Sequence, residues 1–370
     1  MNGYSYLESI YYILFKDVKM GNSLTPEILR HFPKVELHRH LEGSYPLDKL
    51  YEIARKNHLD NGMSFEEFKI DNQFPKNGEP DFLLFLAKFR NHWYKSLQDI
   101  SYLTYHSVLN LKNDGIFYIE LRFNPEHFTA NNNFSRKSVV KTILAAGNKA
   151  AKEIGLHIRY LITLNRGKHN PDELLTIYEQ IKGSHSMICG FDLAGDETNY
   201  PPELFRAVFN KISSDGMYLT TVHAGEVSPP TQIWEAITNL KASRIGHGTS
   251  SILDAELQKT LIEKKILLEQ CLTSNYQTGS WRDTATHPFG RLYRMGVPVA
   301  LGSDDPSIQD ADLTDDYYLA VKHFNFNLDD FITMNLNALN SAFLKPGQRR
   351  YLKIQYLKAV ERFKKNFNIK

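Results

Sequence analysis

Hydrophobic and polar positions follow two alternating periods along most of this chain. Eight short segments show the two-residue alternation or the continuous apolar runs of β-strands, and amphipathic stretches separate them. The predicted strands are residues 34–41, 116–123, 156–164, 188–194, 217–224, 243–248, 265–271 and 297–303. Residues 135–155 carry apolar side chains at three- and four-residue steps, as a helix does. Strands that alternate with helices predict a parallel sheet, and eight strands close a (β/α)₈ TIM barrel.

The spacing of these segments predicts one α/β domain, residues 32–370, preceded by an N-terminal extension, residues 1–31. The gap between the first two strands exceeds one crossover helix, so extra helices are expected there and also at the C-terminus. Within the gap, residues 80–115 are rich in aromatic and aliphatic side chains at helical spacing. Two interpretations are compatible: helices packed on the barrel, and an apolar lid over its mouth.

The first predicted strand has an unusual face. Alternation places Glu36, His38, His40 and Glu42 on one side, and the apolar residues on the other. Because the apolar side belongs against the helices, the polar side faces the barrel interior, where branched apolar residues normally pack. Glu36 is expected in a salt bridge at the barrel bottom. The His-x-His pair puts two imidazoles near enough to bind one metal ion.

Other strand ends carry matching chemistry. Strand five ends at His223, strand six at His247, and strand eight runs into Asp304 and Asp305, while Gly195 at the end of strand four allows close backbone approach to a ligand. Each has a structural alternative, since a strand-end histidine is often only hydrogen-bonded and Asp-Asp-Pro often begins a helix. Their recurrence at the carboxyl ends, where barrel active sites lie, favours a functional site.

Three histidines and an aspartate are nitrogen and oxygen ligands that suit zinc. A site of this kind would activate a bound water molecule at neutral pH. Glu226, on the turn after strand five, is placed for proton transfer.

Composition narrows the function classes. A net charge of +2 argues against nucleic acid as the main partner. The two cysteines form no CxxC pair, which excludes a cysteine zinc site and suits a reducing, cytoplasmic compartment. The apolar run at residues 10–15 is too short for a secretion signal, and no stretch approaches the roughly 20 apolar residues of a membrane helix.

Six motifs carry a family resemblance. The stretches "ELHRHLEGS", "YIELRFNP", "FDLAGDE", "TVHAGE", "RIGHG" and "GSDDP", in this order, resemble the adenosine deaminase family of metal-dependent hydrolases. The resemblance extends from about Phe32 to at least Ser307. It implies hydrolysis of a 6-aminopurine to a 6-oxopurine and ammonia.

The resemblance assigns roles to the metal ligands and the acid. It implies that His38, His40, His223 and Asp304 hold one zinc ion per chain, with Asp304 also positioning the attacking water. Glu226 would protonate purine N1.

It assigns the remaining site residues to water and substrate. His247 would orient and deprotonate the water that attacks C6, Asp305 would bond N7, and the Gly195 N–H would contact N3. Glu42 would approach the ribose 5′-hydroxyl, and His40 would also border the substrate.

Three positions depart from the family pattern, and none removes a ligand or a proton-transfer group. Glu42 stands where the animal enzymes have aspartate, so the family pattern does not define the contact to the sugar. Gly302 replaces a common asparagine, and Leu272 a common proline. His106 and His287 are interpreted as structural or supporting residues.

Three functional hypotheses remain at this point. The first is deamination of adenosine and 2′-deoxyadenosine. In this hypothesis the protein binds a purine nucleoside and is a monomer or a weak homo-oligomer. The second is deamination of adenine, an N6-modified AMP or a 5′-modified adenosine such as 6-amino-6-deoxyfutalosine. The third, a non-enzymatic nucleoside-binding barrel, is disfavoured because every ligand and Glu226 are present. A site with two metal ions would usually contain a bridging modified lysine. No predicted strand ends in a lysine, so one metal ion is expected.

Overall fold

Eight parallel strands form one sheet in the order of the sequence, β1 to β8. The structure is a computed structural model that describes residues 24–75, 78–130 and 132–369. The strands are Lys34–His40 (β1), Ile116–Phe123 (β2), His157–Arg166 (β3), Ile188–Gly195 (β4), Leu219–Ala224 (β5), Arg244–His247 (β6), Leu267–Gln270 (β7) and Val299–Leu301 (β8). With helices around this sheet, the predicted (β/α)₈ barrel is confirmed.

The barrel closes at its functional end. The backbone N–H of His40 donates to the Asp304 carbonyl at 2.9 Å, and the Asp304 N–H donates to the His38 carbonyl at 3.0 Å. Arg39 and Asp304 accordingly form a parallel bridge. The segment after β8 therefore completes the sheet beside β1, and the same hydrogen bonds fix three predicted metal ligands relative to one another.

Helices surround the sheet and fill the long connections. The first helices are Pro26–His31 (α1), Leu47–Lys56 (α2), Phe65–Asn72 (α3), Phe82–Leu86 (α4), Leu97–Asn110 (α5), Pro125–Thr129 (α6), Arg136–Ile154 (α7), Pro171–Ile181 (α8) and Arg206–Asp215 (α9). The later ones are Pro230–Thr238 (α10), Ala255–Lys264 (α11), Leu272–Gln277 (α12), Phe289–Arg294 (α13), Pro306–Gln309 (α14), Leu313–Phe324 (α15), Leu328–Ser341 (α16) and Pro346–Asn366 (α17). In the described ranges, none of these helices has the length and apolar character to cross a bilayer.

Helix α7 shows how local sequence sets an element. Ser135 accepts a hydrogen bond from the Ser138 N–H at 3.1 Å and caps the first turn, and Gly155 ends the helix in the left-handed conformation at φ 70°. Residues such as Val139, Val140 and Ile143 bury the apolar stripe that the period predicted. The observed helix agrees with the predicted residues 135–155.

The insertion between β1 and β2 combines both predicted roles. Helix α5 packs against α7 on the outside of the barrel. Helix α4 and Phe89 instead line the cavity at the barrel mouth. Leu83 and Leu84 on α4 are 60% and 44% exposed, as expected of an apolar segment at a cavity entrance. The insertion therefore contributes both outer packing and a wall of the mouth.

The pairing of β1 with its neighbour is irregular near Glu36, the first residue of the predicted polar face. The pairing of β1 with β2 shifts register between Glu36 and Arg39. Glu36 pairs with Arg39 Nη1 at 3.1 Å and accepts a hydrogen bond from the Ser303 N–H at 2.9 Å. The expected salt bridge of Glu36 is present, but it lies between the two barrel-closing segments and apart from the histidines. A register shift of this kind breaks the strict alternation on which the prediction rested.

The C-terminal helices pack on the chain that leads into β1. The Phe32 ring lies 6.2 Å from the rings of Tyr317 and Phe331 and 5.3 Å from that of Phe363. Helix α1, which falls within the predicted N-terminal extension, joins this packing through His31, whose ring lies 5.4 Å from that of Phe367. Residues 1–23 of the predicted extension lie outside the described residues.

Candidate metal-dependent active site

The carboxyl ends of the strands surround one cavity of about 320 Å³. This volume lies near the lower end of the usual range for small-molecule sites, about 300–1,000 Å³. Most of the predicted site residues line it, namely His40, Glu42, Gly195, His223, Glu226, His247, Asp304 and Asp305. The remaining one, His38, is fully buried beside them. The structure therefore brings all nine predicted residues together.

Four donor atoms converge as a metal site requires. Asp304 Oδ1 lies 3.2 Å from His38 Nε2 and 3.3 Å from His40 Nε2, and the Nε2 atoms of His40 and His223 are 3.3 Å apart. Donors placed tetrahedrally at zinc bond lengths of about 2.0–2.1 Å stand about 3.3–3.4 Å from one another. His38 Nε2 is buried and has no hydrogen-bond partner among the described residues. The donor set thus fits a small divalent cation such as zinc.

A second group of donors overlaps the first. His38, His247, Cys271 and Asp304 also offer ligand atoms within 4.8 Å of one another. Burial, with the nearby Asp304 charge, raises the pKa of the Cys271 thiol well above its usual value. Because metals bind the thiolate, this set fits a metal ion less well than the set with His40 and His223.

Two carboxylates orient the buried histidines, and the motif analysis gave them no role. Glu269 Oε2 lies 2.8 Å from His38 Nδ1, and Asp192 Oδ1 lies 3.0 Å from His223 Nδ1. A carboxylate on Nδ1 fixes the tautomer whose Nε2 lone pair is free for a metal. Asp192 lies within "FDLAGDE" and Glu269 within "EQCLTSN", so the signal was present in the sequence without its spatial partner.

Glu226 occupies a tight turn beside this set. Gly225 has φ 72°, and an added Cβ would meet Ile233 and Ser250 at 2.5 Å. Burial, followed by the charges of Asp304 and Glu197, raises the pKa of Glu226 well above its usual value. Burial therefore favours the protonated form of Glu226, which can donate a proton.

His247 faces Glu226 across the cavity. Its Nε2 lies 3.5 Å from Glu226 Oε2, and its Nδ1 lies 3.1 Å from Asn275 Nδ2. Burial lowers the pKa of His247 well below its usual value, so the imidazole is neutral and able to accept a proton. Asn275 Oδ1 in turn lies 3.1 Å from His287 Nε2, which agrees with a supporting role for His287. His106 instead packs on Tyr102, with ring centroids 4.4 Å apart.

Two of the predicted site residues occupy a strained backbone conformation. His247 has φ 57° and Asp304 has φ 56°, in the left-handed region that non-glycine residues rarely adopt. Ser274 Oγ donates to Asp304 Oδ2 at 2.7 Å and fixes the carboxylate. Such strain persists only where surrounding contacts enforce it, and it is common at active sites.

Asp305 does not act as the helix cap that its sequence position suggested. It precedes Pro306 at the start of α14, yet its side chain makes no capping bond within the described chain. Its Oδ1 is buried and without a hydrogen-bond partner in the described ranges. Burial and the charge of Asp304 raise the pKa of Asp305 well above its usual value. Burial therefore favours the neutral form of Asp305 at the cavity.

Glu42 marks the other end of the cavity. Its Oε1 accepts a hydrogen bond from the Asn124 N–H at 2.6 Å, while Oε2 is buried and lacks a partner among the residues described. Burial raises the pKa of Glu42 to about 7. Lys168 also lines the cavity, and its charge acts on Glu42 in the opposite direction.

Gly195 and α4 complete the cavity wall. Gly195 has φ 109°, and an added Cβ would lie 2.5 Å from the Arg166 carbonyl, so only glycine fits without displacement. The Phe89 ring packs edge-on to that of His40 with centroids 6.3 Å apart. The cavity therefore has a polar floor of ionisable groups and an apolar rim.

Comparison with known proteins agrees with this architecture. The family profile described as adenosine deaminase matches residues 33–358. The adenosine deaminase of Edwardsiella ictaluri (strain 93-146) is 31% identical over 326 residues, which cover 87% of this chain and 97% of that protein.

Solved structures share the fold. An adenine deaminase from Arthrobacter aurescens has a TM-score of 0.81 at 23% identity and covers 89% of this chain and 99% of its own. An amidohydrolase from Burkholderia ambifaria with bound zinc has a TM-score of 0.84 at 21% identity, with 95% and 98% covered. At these identities the similarity extends to the fold alone.

Removal of bound metal should destabilise the protein. An ion that binds only the folded state adds about 2.7 kcal/mol at a concentration 100 times its Kd. A chelator should therefore lower the Tm measured by scanning calorimetry, and added Zn²⁺ should restore it. His40→Ala should lose this response, whereas the control His185→Ala, outside the site, should keep it. The metal content of the chelator-treated protein should be measured as well. If the metal has been removed and the Tm is unchanged, the proposed metal site is contradicted.

Gly43 should be required by Asp305. A Cβ at Gly43 would lie 1.9 Å from Asp305 Oδ1, so Gly43→Ala must displace that carboxyl group. We expect kcat/KM to fall by about tenfold to a hundredfold, the effect of one buried hydrogen bond worth about 1.5–3 kcal/mol. The control is Gly347→Ala, where a Cβ meets no atom of the described chain within 4 Å. An unchanged kcat/KM would mean that Asp305 does not contact the substrate.

Proposed function

The chain belongs to the adenosine deaminase family, and from that premise we propose that it hydrolyses adenosine and 2′-deoxyadenosine to the 6-oxopurine nucleoside and ammonia. The observation that carries the proposal is the buried acid Glu226, whose pKa is raised, beside four converging metal donors in one cavity of about 320 Å³. The donors supply a site for activating water, and the acid supplies a proton to the ring that the water attacks.

The metal-binding residues in this proposal are His38, His40, His223 and Asp304. The preferred ion is zinc, because the set contains three nitrogen donors and one oxygen donor. When bound, zinc acts as a Lewis acid that makes water nucleophilic near neutral pH.

Glu226 supplies the proton at N1. Attack at C6 breaks the aromaticity of the purine ring unless N1 is protonated in the same stage. Burial raises the pKa of Glu226 well above its usual value, which favours the protonated form that can donate to N1.

His247 accepts the proton of the attacking water. The neutral imidazole lines the cavity, and it accepts this proton at Nε2 in the tautomer that carries its own proton on Nδ1, with the Asn275 amide turned so that Oδ1 accepts from Nδ1–H. Its Nε2 lies 3.5 Å from Glu226 Oε2, so the proton acceptor and the proton donor are close enough to serve one reacting carbon.

Asp305 and Gly195 orient the ring. Purine N7 accepts hydrogen bonds, so a carboxyl group can bond it only when protonated. The raised pKa of Asp305, caused by burial and Asp304, supplies that form. The Gly195 N–H contacts N3 in this arrangement.

Glu42 favours an uncharged ribose. Its buried Oε2 lacks a partner in the described chain and can accept a hydrogen bond from a 5′-hydroxyl. A 5′-phosphate would instead bring negative charge to a buried carboxyl group, which is unfavourable unless that group is protonated. These arguments favour a nucleoside over a nucleotide.

Lys168 supports the second candidate. Its ammonium group borders the same cavity and acts electrostatically on Glu42 and His127. An ammonium group attracts anionic groups, which favours a 5′-anionic substrate such as an N6-modified AMP. Free adenine is the further alternative, since it would use only the ring contacts.

The remaining assignments complete the proposal. We place the protein in the cytoplasm, because its two cysteines, Cys189 and Cys271, are both free thiols. A monomer or weak homo-oligomer is expected, because the described chain supplies all nine site residues itself.

Substrate preference can be measured directly by ultraviolet spectroscopy. We expect kcat/KM for adenosine to exceed that for adenine by about 100-fold or more, because binding energy from the ribose is used at the reacting centre. Adenosine should also exceed AMP and N6-methyl-AMP. Lys168→Ala should leave adenosine turnover unchanged. A preference for N6-methyl-AMP that Lys168→Ala abolishes would replace the first candidate with the second.

Glu226→Gln should separate proton transfer from binding. The amide has nearly the same shape but cannot supply a proton, so kcat should fall by about 10²–10⁴-fold while metal content and Tm persist. The control is Glu203→Gln, an exposed residue of similar chemistry. Turnover near the wild-type rate would remove Glu226 from the proposed mechanism.

A further inference from the structure

Arg122 is a fully buried guanidinium in the barrel interior, below the cavity. It projects from β2 with none of its side chain exposed. Nη1 donates to Asp192 Oδ2 at 3.2 Å, and Nη2 donates to Glu269 Oε2 at 2.7 Å and to the Leu37 carbonyl at 2.6 Å. One side chain therefore binds acceptors on three other strands, β1, β4 and β7.

The two carboxylates that Arg122 binds are those that hold the metal-site histidines. Asp192 contacts Arg122 through Oδ2 and His223 through Oδ1. Glu269 Oε2 lies 2.7 Å from Arg122 Nη2 and 2.8 Å from His38 Nδ1. A continuous path of polar contacts thus joins His38 to His223 through a single guanidinium.

We propose that Arg122 is a positioning residue that sets the relative placement of the His38 and His223 rings for metal binding. The inference rests on the proposed metal-dependent function. It assigns a role to a residue that does not contact the Nε2 atoms offered to the metal. Arg122 is also not among the described residues that line the cavity.

A guanidinium suits this role better than an ammonium group. The planar fork presents N–H groups in fixed directions, so two carboxylates and a carbonyl are held at once. A lysine at the same place keeps the positive charge but concentrates it on one nitrogen. Lysine would therefore compensate the buried carboxylates while losing the fixed geometry between Asp192 and Glu269.

Arg244 offers an internal comparison. It is also fully buried, and it binds Glu269 Oε1 at 2.6 Å and Glu120 Oε2 at 2.7 Å. It does not bridge Glu269 to Asp192. Arg244→Lys consequently tests what the loss of a buried guanidinium does to the barrel without breaking the link between the two histidine-holding carboxylates.

The test compares Arg122→Lys with Arg244→Lys in full-length protein. Zn²⁺ release to a chelator and the visible spectrum of Co²⁺-loaded protein report on the metal site, and calorimetry reports on stability. We expect Arg122→Lys to weaken Zn²⁺ binding by about 10–100-fold, as loss of such supporting contacts does, and to shift the Co²⁺ bands. Arg244→Lys should lower the Tm by a similar amount, but it should change Zn²⁺ binding and the Co²⁺ bands less.

Kinetics should show a matching division. Because Arg122 lies outside the cavity wall formed by the described residues, Arg122→Lys should lower kcat in metal-saturated protein while leaving KM within about twofold. A rise in KM with kcat unchanged would overturn the proposal, since it would indicate a role in substrate binding.

Asp192→Asn supplies a second route if Arg122→Lys does not fold. The amide keeps the shape of the side chain but weakens the contacts to both Arg122 and His223, so Zn²⁺ should again be released faster. Where all variants fold, the effects of Arg122→Lys and Asp192→Asn should be less than additive, because they interrupt one path.

Equal loss of Zn²⁺ affinity in Arg122→Lys and Arg244→Lys at equal Tm would overturn the proposal. So would wild-type Zn²⁺ release in Asp192→Asn. These measurements use no substrate, so they remain decisive even if no purine is deaminated and the proposed function fails.

Discussion

The structure depends on the pairing of charge inside the barrel. An unpaired ion in a protein interior is strongly unfavourable, so ionisable groups there must neutralise one another. Glu120 binds Arg244, Arg244 binds Glu269, Glu269 binds Arg122, and Arg122 binds Asp192, with contacts of 2.6–3.2 Å. This alternating series occupies the interior where branched aliphatic side chains pack in most barrels.

The carboxylates of this series also contact His38 and His223, so the ion pairs that stabilise the interior also position two residues of the proposed metal site. Asp192 contacts one arginine and the imidazole of His223, and Glu269 contacts two arginines and the imidazole of His38. Burial alone would raise the pKa of Asp192 and Glu269, but their cationic and imidazole partners hold both well below their usual values. Ionised carboxylates are good acceptors from Nδ1–H, so the same pairing that permits burial also turns each Nε2 toward the cavity.

The sequence predicted the groups whose chemistry lies within one motif. His38 and His40 share one strand face, and Gly225 placed Glu226 on a turn that the φ of 72° confirms. It could not give roles to Arg122 and Glu269, since their hydrogen bond joins residues 147 positions apart. Nor could alternation reveal the register shift beside Glu36.

Strand boundaries followed the same logic. The last strand was predicted at residues 297–303 but is Val299–Leu301, because the chain then turns toward β1 and closes the barrel through Asp304. The apolar pattern marks burial and not hydrogen bonding, so it continues past the last paired residue. The difference is largest at β8, the shortest strand, whereas the bounds of β2 agree with the prediction.

Three neighbouring carboxyl groups of the cavity differ in ionisation for reasons of environment. Burial favours the neutral form of all three, but the His38 imidazole, whose Nε2 lies 3.2 Å from Asp304 Oδ1, and other nearby imidazoles hold the pKa of Asp304 well below its usual value. For Glu226 and Asp305 burial is the largest effect, and the charge of Asp304 raises their pKa values further. One group is thus suited to binding a cation and two to donating hydrogen bonds.

This division matches the requirements of a purine edge. Purine N1, N3 and N7 are all acceptors, so a site that grips the ring through them must present donors to each. Ionised carboxylates could not do so, whereas the protonated groups of Glu226 and Asp305 and the Gly195 N–H can in the arrangement we propose. In this proposal the anionic Asp304 is a metal donor, and burial is the largest cause of the raised pKa values of Glu226 and Asp305, which a bound cation would oppose. Recognition of the ring and activation of water consequently depend on one electrostatic arrangement.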